Sequence, residues 1–291
     1  MTVKQVILYL GYFAAAFAVF AVLRFPHQAA ARKVSDISGR LFPGVMLEMD
    51  RLDPGFSTKL CAIESRLYLG SARAIPLETL CFSLFPGVFY PEKQIRVSAS
   101  LAGGKVNGQI SGISLDRDQY DMLAMILTGL QVRDVSTRVQ GTPVTLSFDL
   151  AGSYRFHREP DHTAGSGELV LNRLICHLQN ETPAAHDFDT FEFDRVNIDW
   201  SRDNDEITVT RLSGSGRFMT VELEGILTMA GGLTAGPDDW HIDLTGRLSP
   251  QAAYVSRFAA ILSMETLFRA GQEKGIPIRI AGPVTDVEVI L

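Results

Sequence analysis

From Val45 onward the chain keeps a period of two. Leu47 and Met49 alternate with Glu48 and Asp50. Ile95, Val97, Ala99 and Leu101 alternate with Arg96, Ser98 and Ser100. Val144, Leu146, Phe148 and Leu150 alternate with Thr145, Ser147 and Asp149. The beat returns at Leu169 and Leu171, Phe191 and Phe193, Ile198 and Trp200, Ile207 and Val209, Val221 and Leu223, and Ile242 and Leu244. Alternation of this kind gives a strand one apolar and one wet face, which antiparallel sheets tolerate and fully buried parallel sheets do not. Turn formers separate the strands: Gly103-Gly104, Gly112, Gly141, Gly152, Gly165-Ser166-Gly167, Gly214-Ser215-Gly216 and Gly231-Gly232. The pattern predicts about thirteen strands joined by tight turns in a meander.

A second feature precedes the beat. Val6 to Leu23 carries no charged side chain, and at 1.5 Å per residue it reaches about 27 Å as a helix, close to the thickness of bilayer hydrocarbon. Tyr9, Tyr12, Arg24 and Phe25 are interfacial residue types, and Pro26 ends the run. A cleaved secretory signal is the rival, with Lys4 as its basic start and Ala29-Ala30-Ala31 as its cleavage site, but its apolar core would be overlong. The reading is an uncleaved transmembrane anchor with the body exported. Arg24, Arg32, Lys33 and Arg40 after the run weigh the other way on the positive-inside count.

Three segments follow: 1-25 as tail and anchor, 26-42 as a juxtamembrane amphipathic helix, and 43-291 as a β-rich domain. In the second, Ala30, Val34, Ile37 and Leu41 share a helical stripe, expected at the membrane surface. Two further helices are expected to cover the sheet. Asp116 to Leu127 sets Tyr120, Leu123 and Leu127 in line behind acidic capping residues. The other opens at Ser249-Pro250 and carries Val255, Phe258, Ile261, Leu262 and Leu267.

The function classes narrow by exclusion. A net charge of -6 with no basic cluster excludes a nucleic-acid partner. Eight acids between Asp187 and Glu206 against Arg195 and Arg202 read as a wet strand face. Cys61, Cys81 and Cys176 read as three buried thiols, with Cys61 and Cys81 the pair an oxidising compartment would bridge. His157 and His162 share a turn with Glu159 and Asp161, whose irregularity favours a solvated loop over a metal site. No nucleophile elbow, Walker loop, zinc helix or dinucleotide loop occurs. Catalytic, cofactor-binding and metal residues are therefore predicted to be none, and the chain is read as no enzyme.

The head LRFPHQAAARKVSDISGRLFPGVMLEM after a single apolar run resembles the opening of the type II secretion system protein N family of bacteria with an outer membrane. GKVNGQISGISL, VTLSFDLAGSY, GSGELVL, TVELEGILTM and HIDLTGRLSP match that family in style, and the closing GIPIRIAGPVTDVEVIL is similar to the end of the broader AsmA-like group. The resemblance implies a mainly β, AsmA-like fold: an N-terminal transmembrane helix, then an elongated, curved antiparallel β-meander sheet with two packing helices. It further implies a single-pass inner-membrane protein with its C-terminal domain in the periplasm, working by contact with other secretion-system components. The alternative from the AsmA-like side is an apolar groove that binds or transfers phospholipid.

Overall fold

The computed structural model describes residues 24–42, 45–54, 59–69, 74–84, 94–114, 120–159, 162–178, 190–229, 239–251 and 275–290. One helix, α1 (His27–Leu41), precedes strands β1 (Val45–Pro54), β2 (Lys59–Leu69), β3 (Ile75–Leu77), β4 (Thr79–Leu84), β5 (Gln94–Leu101) and β6 (Gly104–Ser111). The long strands β7 (Met122–Val139), β8 (Thr142–Glu159), β9 (His162–Leu178) and β10 (Thr190–Asp203) come next. The chain then runs through β11 (Glu206–Ser215), β12 (Met219–Met229), β13 (Trp240–Pro250), β14 (Ile276–Pro283) and β15 (Asp286–Ile290).

All fifteen strands belong to one sheet. Neighbours in sequence pair antiparallel almost throughout, as alternating strands with short turns should. The exception is at β7. Its early residues Met122 to Thr128 pair with β6, while Arg138 and Val139 on the same strand pair parallel with Asp286 and Val287 of β15. Because β7 also pairs with β8, strands β7 to β15 form a hydrogen-bonded circuit, and β1 to β6 leave it as an extension. The parallel contact is reinforced by Thr137 Oγ1 donating to the Val284 carbonyl at 3.1 Å and Gln140 Nε2 donating to the Val289 carbonyl at 2.6 Å.

An irregular step keeps the apolar face continuous along β9 and β10. In β9, Leu169 and Leu171 give way to Leu174 and Cys176, and in β10 Phe191 and Phe193 give way to Val196, Ile198 and Trp200. Each change of parity lies where the pairing jumps from Phe193↔Leu174 to Arg195↔Asn172, with Arg173 at φ 53°. Asp194 and Arg173 both drop out of the ladder there, so β9 and β10 switch faces together with no shift in their register, while β8 and β9 shift register between Ser147 and Asp149.

Three apolar clusters follow this face. The first joins Leu47, Met49, Leu52 and Leu80 to Ala31 of α1, and the second joins Ile110, Tyr120 and Phe156 to Leu41 of α1. The third gathers Val209, Val221, Leu223, Leu244 and Ile278 from β11 to β14.

These observations correct the expected architecture. The helix expected over Asp116 to Leu127 is replaced from Met122 by β7, whose Ile110↔Leu123 and Leu123↔Phe156 pairs put it inside the sheet; residues 115–119 lie outside the described residues. Ser249-Pro250 ends β13 instead of capping a helix, and residues 252–274 lie outside the described residues. The plain meander becomes a circuit with a branch. The stripe of α1 is taken up by the sheet: Ala30, Ala31, Val34, Ile37 and Leu41 pack against it.

The expected anchor, Val6 to Leu23, lies outside the described residues. Among the described residues no helix is long and apolar enough to cross a membrane. Among the described residues the one helix, α1, has 15 residues and includes Arg32, Lys33, Asp36 and Arg40. The transmembrane-helix element of the fold and the single-pass inner-membrane, periplasmic localisation are therefore not carried forward.

Cys61 and Cys81, register partners on β2 and β4, form a disulfide with a Cα–Cα distance of 4.1 Å. Of the three thiols expected, only Cys176 is free, and burial pushes it up to about 11.

Candidate functional site

Register alone stacks the apolar residues of the circuit into rows that cross it strand by strand. One row runs Leu127, Gly152, Leu169, Ile198, Leu212, Leu223, Gly246, Ile278. The next, toward the end where β8 turns into β9, runs Met125, Tyr154, Gly167, Trp200, Val209, Gly225, Leu244, Ile280. The outermost runs Leu123, Phe156, Gly165, Arg202, Ile207, Leu227, Ile242, Gly282. Glycine stands where rings need room: a Cβ on Gly167 would lie 2.7 Å from Tyr154 Cβ and 2.9 Å from the Trp200 ring. Gly225, at φ 152°, adopts a conformation that side chains rarely reach.

This face is apolar but not sealed. Val209, Leu223, Leu244 and Ile278 are buried, whereas Leu127, Leu169, Ile198, Leu212, Ile242 and Ile280 are only half-buried. The opposite face is wet, with Glu168, Asp199, Glu222, Glu224 and Asp243 exposed along the same strands.

At the outermost row the aromatic residues collect. Tyr120 lies 5.1 Å from Phe42 and 6.2 Å from Phe156 between ring centroids, and Tyr154 lies 6.1 Å from Trp200. Burial raises both phenols, Tyr154 to about 12. Tyr154 reaches Met125 Sδ at 2.8 Å. Two guanidinium groups face these rings, Arg158 at 6.0 Å from the Tyr120 centroid and Arg202 at 5.2 Å from that of Phe156. Desolvation lowers the Arg202 pKa from its ordinary value.

The groups singled out by sequence are not brought together into a reactive centre. His157 and His162 are exposed on neighbouring strands, and His162 Nδ1 lies 3.5 Å from Asp203. Among the described residues no three His, Cys, Asp or Glu side chains gather at metal-binding distance. The described acids of the 187–206 stretch, Glu192, Asp194, Asp199, Asp203, Asp205 and Glu206, are all exposed. Asp187 and Asp189 lie outside the described residues.

The arginine pair was not singled out by sequence. Its signal is nonetheless there: Arg202 continues the Val196, Ile198, Trp200 beat, so a charge occupies a position the pattern reserves for an apolar side chain.

No family model, no curated protein and no solved structure matches the chain.

Proposed function

We propose that the chain is a binding protein, not an enzyme, and that the apolar face of the nine-strand circuit holds an acyl chain. One observation carries this reading: a wall of Leu, Ile and Val, assembled row by row, remains half-buried. Water against such a surface costs about 25 cal/mol per Å², and a close-packed interior would have removed it. An acyl chain supplies the missing apolar contacts and asks for no convergent polar groups along the wall. This is the lipid-carrying alternative that the AsmA-like resemblance implies.

Native mass spectrometry of the purified full-length chain tests it. Co-purifying phospholipid is expected, and Ile198→Asp, which sets a charge in the wall without emptying a buried position, should release it with strand content retained. A ligand-free wild type with intact strand content ends the reading.

A second reading, a component of a type II secretion system acting through protein contacts, has its own support. Strand β1 ends the sheet, and among the described residues no strand pairs with its outer edge over Val45–Pro54. Such an edge accepts a partner strand, and Met46 beside it is 58% exposed. A photoreactive side chain at Met46 should capture a secretion-system protein in cells; capture of none removes this reading.

A further inference from the structure

The acyl-chain reading leaves open which amphiphile is held, and the charges at the outermost row bear on that. In the three rows traced above, Arg202 is the one charged residue. A charge on an apolar wall is costly unless paired. Yet among the described residues no carboxylate lies within ion-pair distance of Arg202, and Asp205 acts on it only at longer range. Its Nε donates to the Asn204 carbonyl at 2.6 Å. A guanidinium has five N–H donors, so its four Nη hydrogens have no acceptor among the described residues. Arg158, two residues beyond Phe156 on β8, has its guanidinium over Tyr120 with no side-chain acceptor among the described residues. A third unsatisfied donor lies on the same face: Trp200 Nε1, in the adjacent row, is buried without a hydrogen-bond partner. Three donor side chains, two of them cationic, thus lie at one end of an apolar wall, and apart from the Asn204 carbonyl on Arg202 Nε no acceptor among the described residues meets them.

We propose that Arg202 and Arg158 bind the anionic head of a phospholipid whose acyl chain lies along the wall, with Trp200 Nε1 donating to an oxygen near the head. The proposal rests on the acyl-chain reading and adds the sign of the head group. Guanidinium groups pair with phosphate by two parallel hydrogen bonds, and the aromatic floor holds them in place from the other side. A zwitterionic head would bring its own ammonium against both arginines.

The test offers the delipidated full-length chain equal amounts of phosphatidylglycerol and phosphatidylcholine with identical acyl chains, and reads bound lipid by native mass spectrometry. Phosphatidylglycerol should be retained over phosphatidylcholine by about tenfold, the scale of one or two charge-assisted hydrogen bonds. Arg202→Gln should bring the ratio close to one, and Arg202→Lys should keep part of the preference. Arg158→Gln provides the same reading at a second position should the first variant fold poorly. Inorganic phosphate alone should not displace the lipid. Equal retention of both lipids by the wild type, a preference that survives both glutamine variants, or displacement by inorganic phosphate would overturn the proposal and leave the acyl-chain reading standing. Retention of neither lipid would end both.

Discussion

Reduction of the Cys61–Cys81 bond gives the most direct check on how the extension β1 to β6 is held. The two residues are opposite one another on β2 and β4, 20 apart in sequence, with β3 inside the loop they close. Leu60, Ala62, Leu80 and Phe82 pack on the α1 side, so the alternating Cys61 and Cys81 face the other way and are only half-buried. A reductant can therefore reach them in the folded protein. Closing a loop of this size removes about 11 cal/mol/K from the unfolded chain, which is about 3 kcal/mol at 25 °C. At about 2 to 4 °C per kcal/mol for a large domain, the loss corresponds to a fall of about 6 to 12 °C in a cooperative melt. Thiol titration in denaturant should count one thiol before reduction and three after it, since the chain has 3 cysteines and one is free. Hydrogen exchange should then show protection lost in β2 and β4 well before β11 to β13. A melting temperature unchanged when three thiols are counted, or loss spread evenly over the sheet, would refute the reasoning.

Other positions give independent checks. Gly167→Val forces a side chain between Tyr154 and Trp200, so it should cost about 1 to 3 kcal/mol in urea unfolding and shift tryptophan emission. Asp149 accepts 2.6 Å from Arg133 and also binds Arg173, and these hydrogen bonds hold its carboxyl below the usual range. Its contribution is present above about pH 4 and lost as pH falls through the lowered folded value. Urea midpoints for Asp149→Asn should therefore be reduced at neutral pH and fall less steeply in acid than those of the wild type. Cys176, at about 11, should alkylate at pH 8 about two hundredfold more slowly in the folded chain than after denaturation.

The alternation made the sheet legible because period-two patterning and turn residues agree over most of the chain. It misled where both faces are apolar. In Met122 to Leu127 the residues Leu123, Met125 and Leu127 face the wall, but Met122, Ala124 and Ile126 are apolar too, with Ile126 56% exposed. Without a polar half the period of two disappears, and Tyr120, Leu123 and Leu127 then fit a helix as well as a strand. The opposite difficulty arose in β10, where Phe191 with Phe193 and Ile198 with Trp200 are two beats of one strand separated by a step at Asp194 and Arg195, where the ladder to β9 skips one residue on each strand. The disulfide was undecidable from spacing, since Cys61 and Cys81 meet only because β3 occupies the chain between β2 and β4 and lets them pair. Circuit closure rests on the Arg138 and Val139 pairs, separated from their β15 partners by about half the chain, and no local pattern carries contacts of that range.

That closure also leaves one stretch of β7 without a strand partner on one edge. β7 lends one edge to β6 through Thr128 and to β15 only from Arg138, so the same edge between them, residues 129–137, has no strand partner among the described residues. The Gln131 amide is met there by the Ala102 carbonyl of the β5–β6 turn, and Thr137 by Val284, which mark the two sides of the fork. On its other edge the stretch is bulged twice, between Leu127 and Leu130 and between Val132 and Val135, with Gly129 and Asp134 at positive φ. Bulges twist an edge away from regular pairing. On the proposed acyl-chain reading, a circuit complete at β15 and parted along β7 would keep its rows in register while giving an elongated apolar molecule lateral access, which a fully hydrogen-bonded barrel would deny.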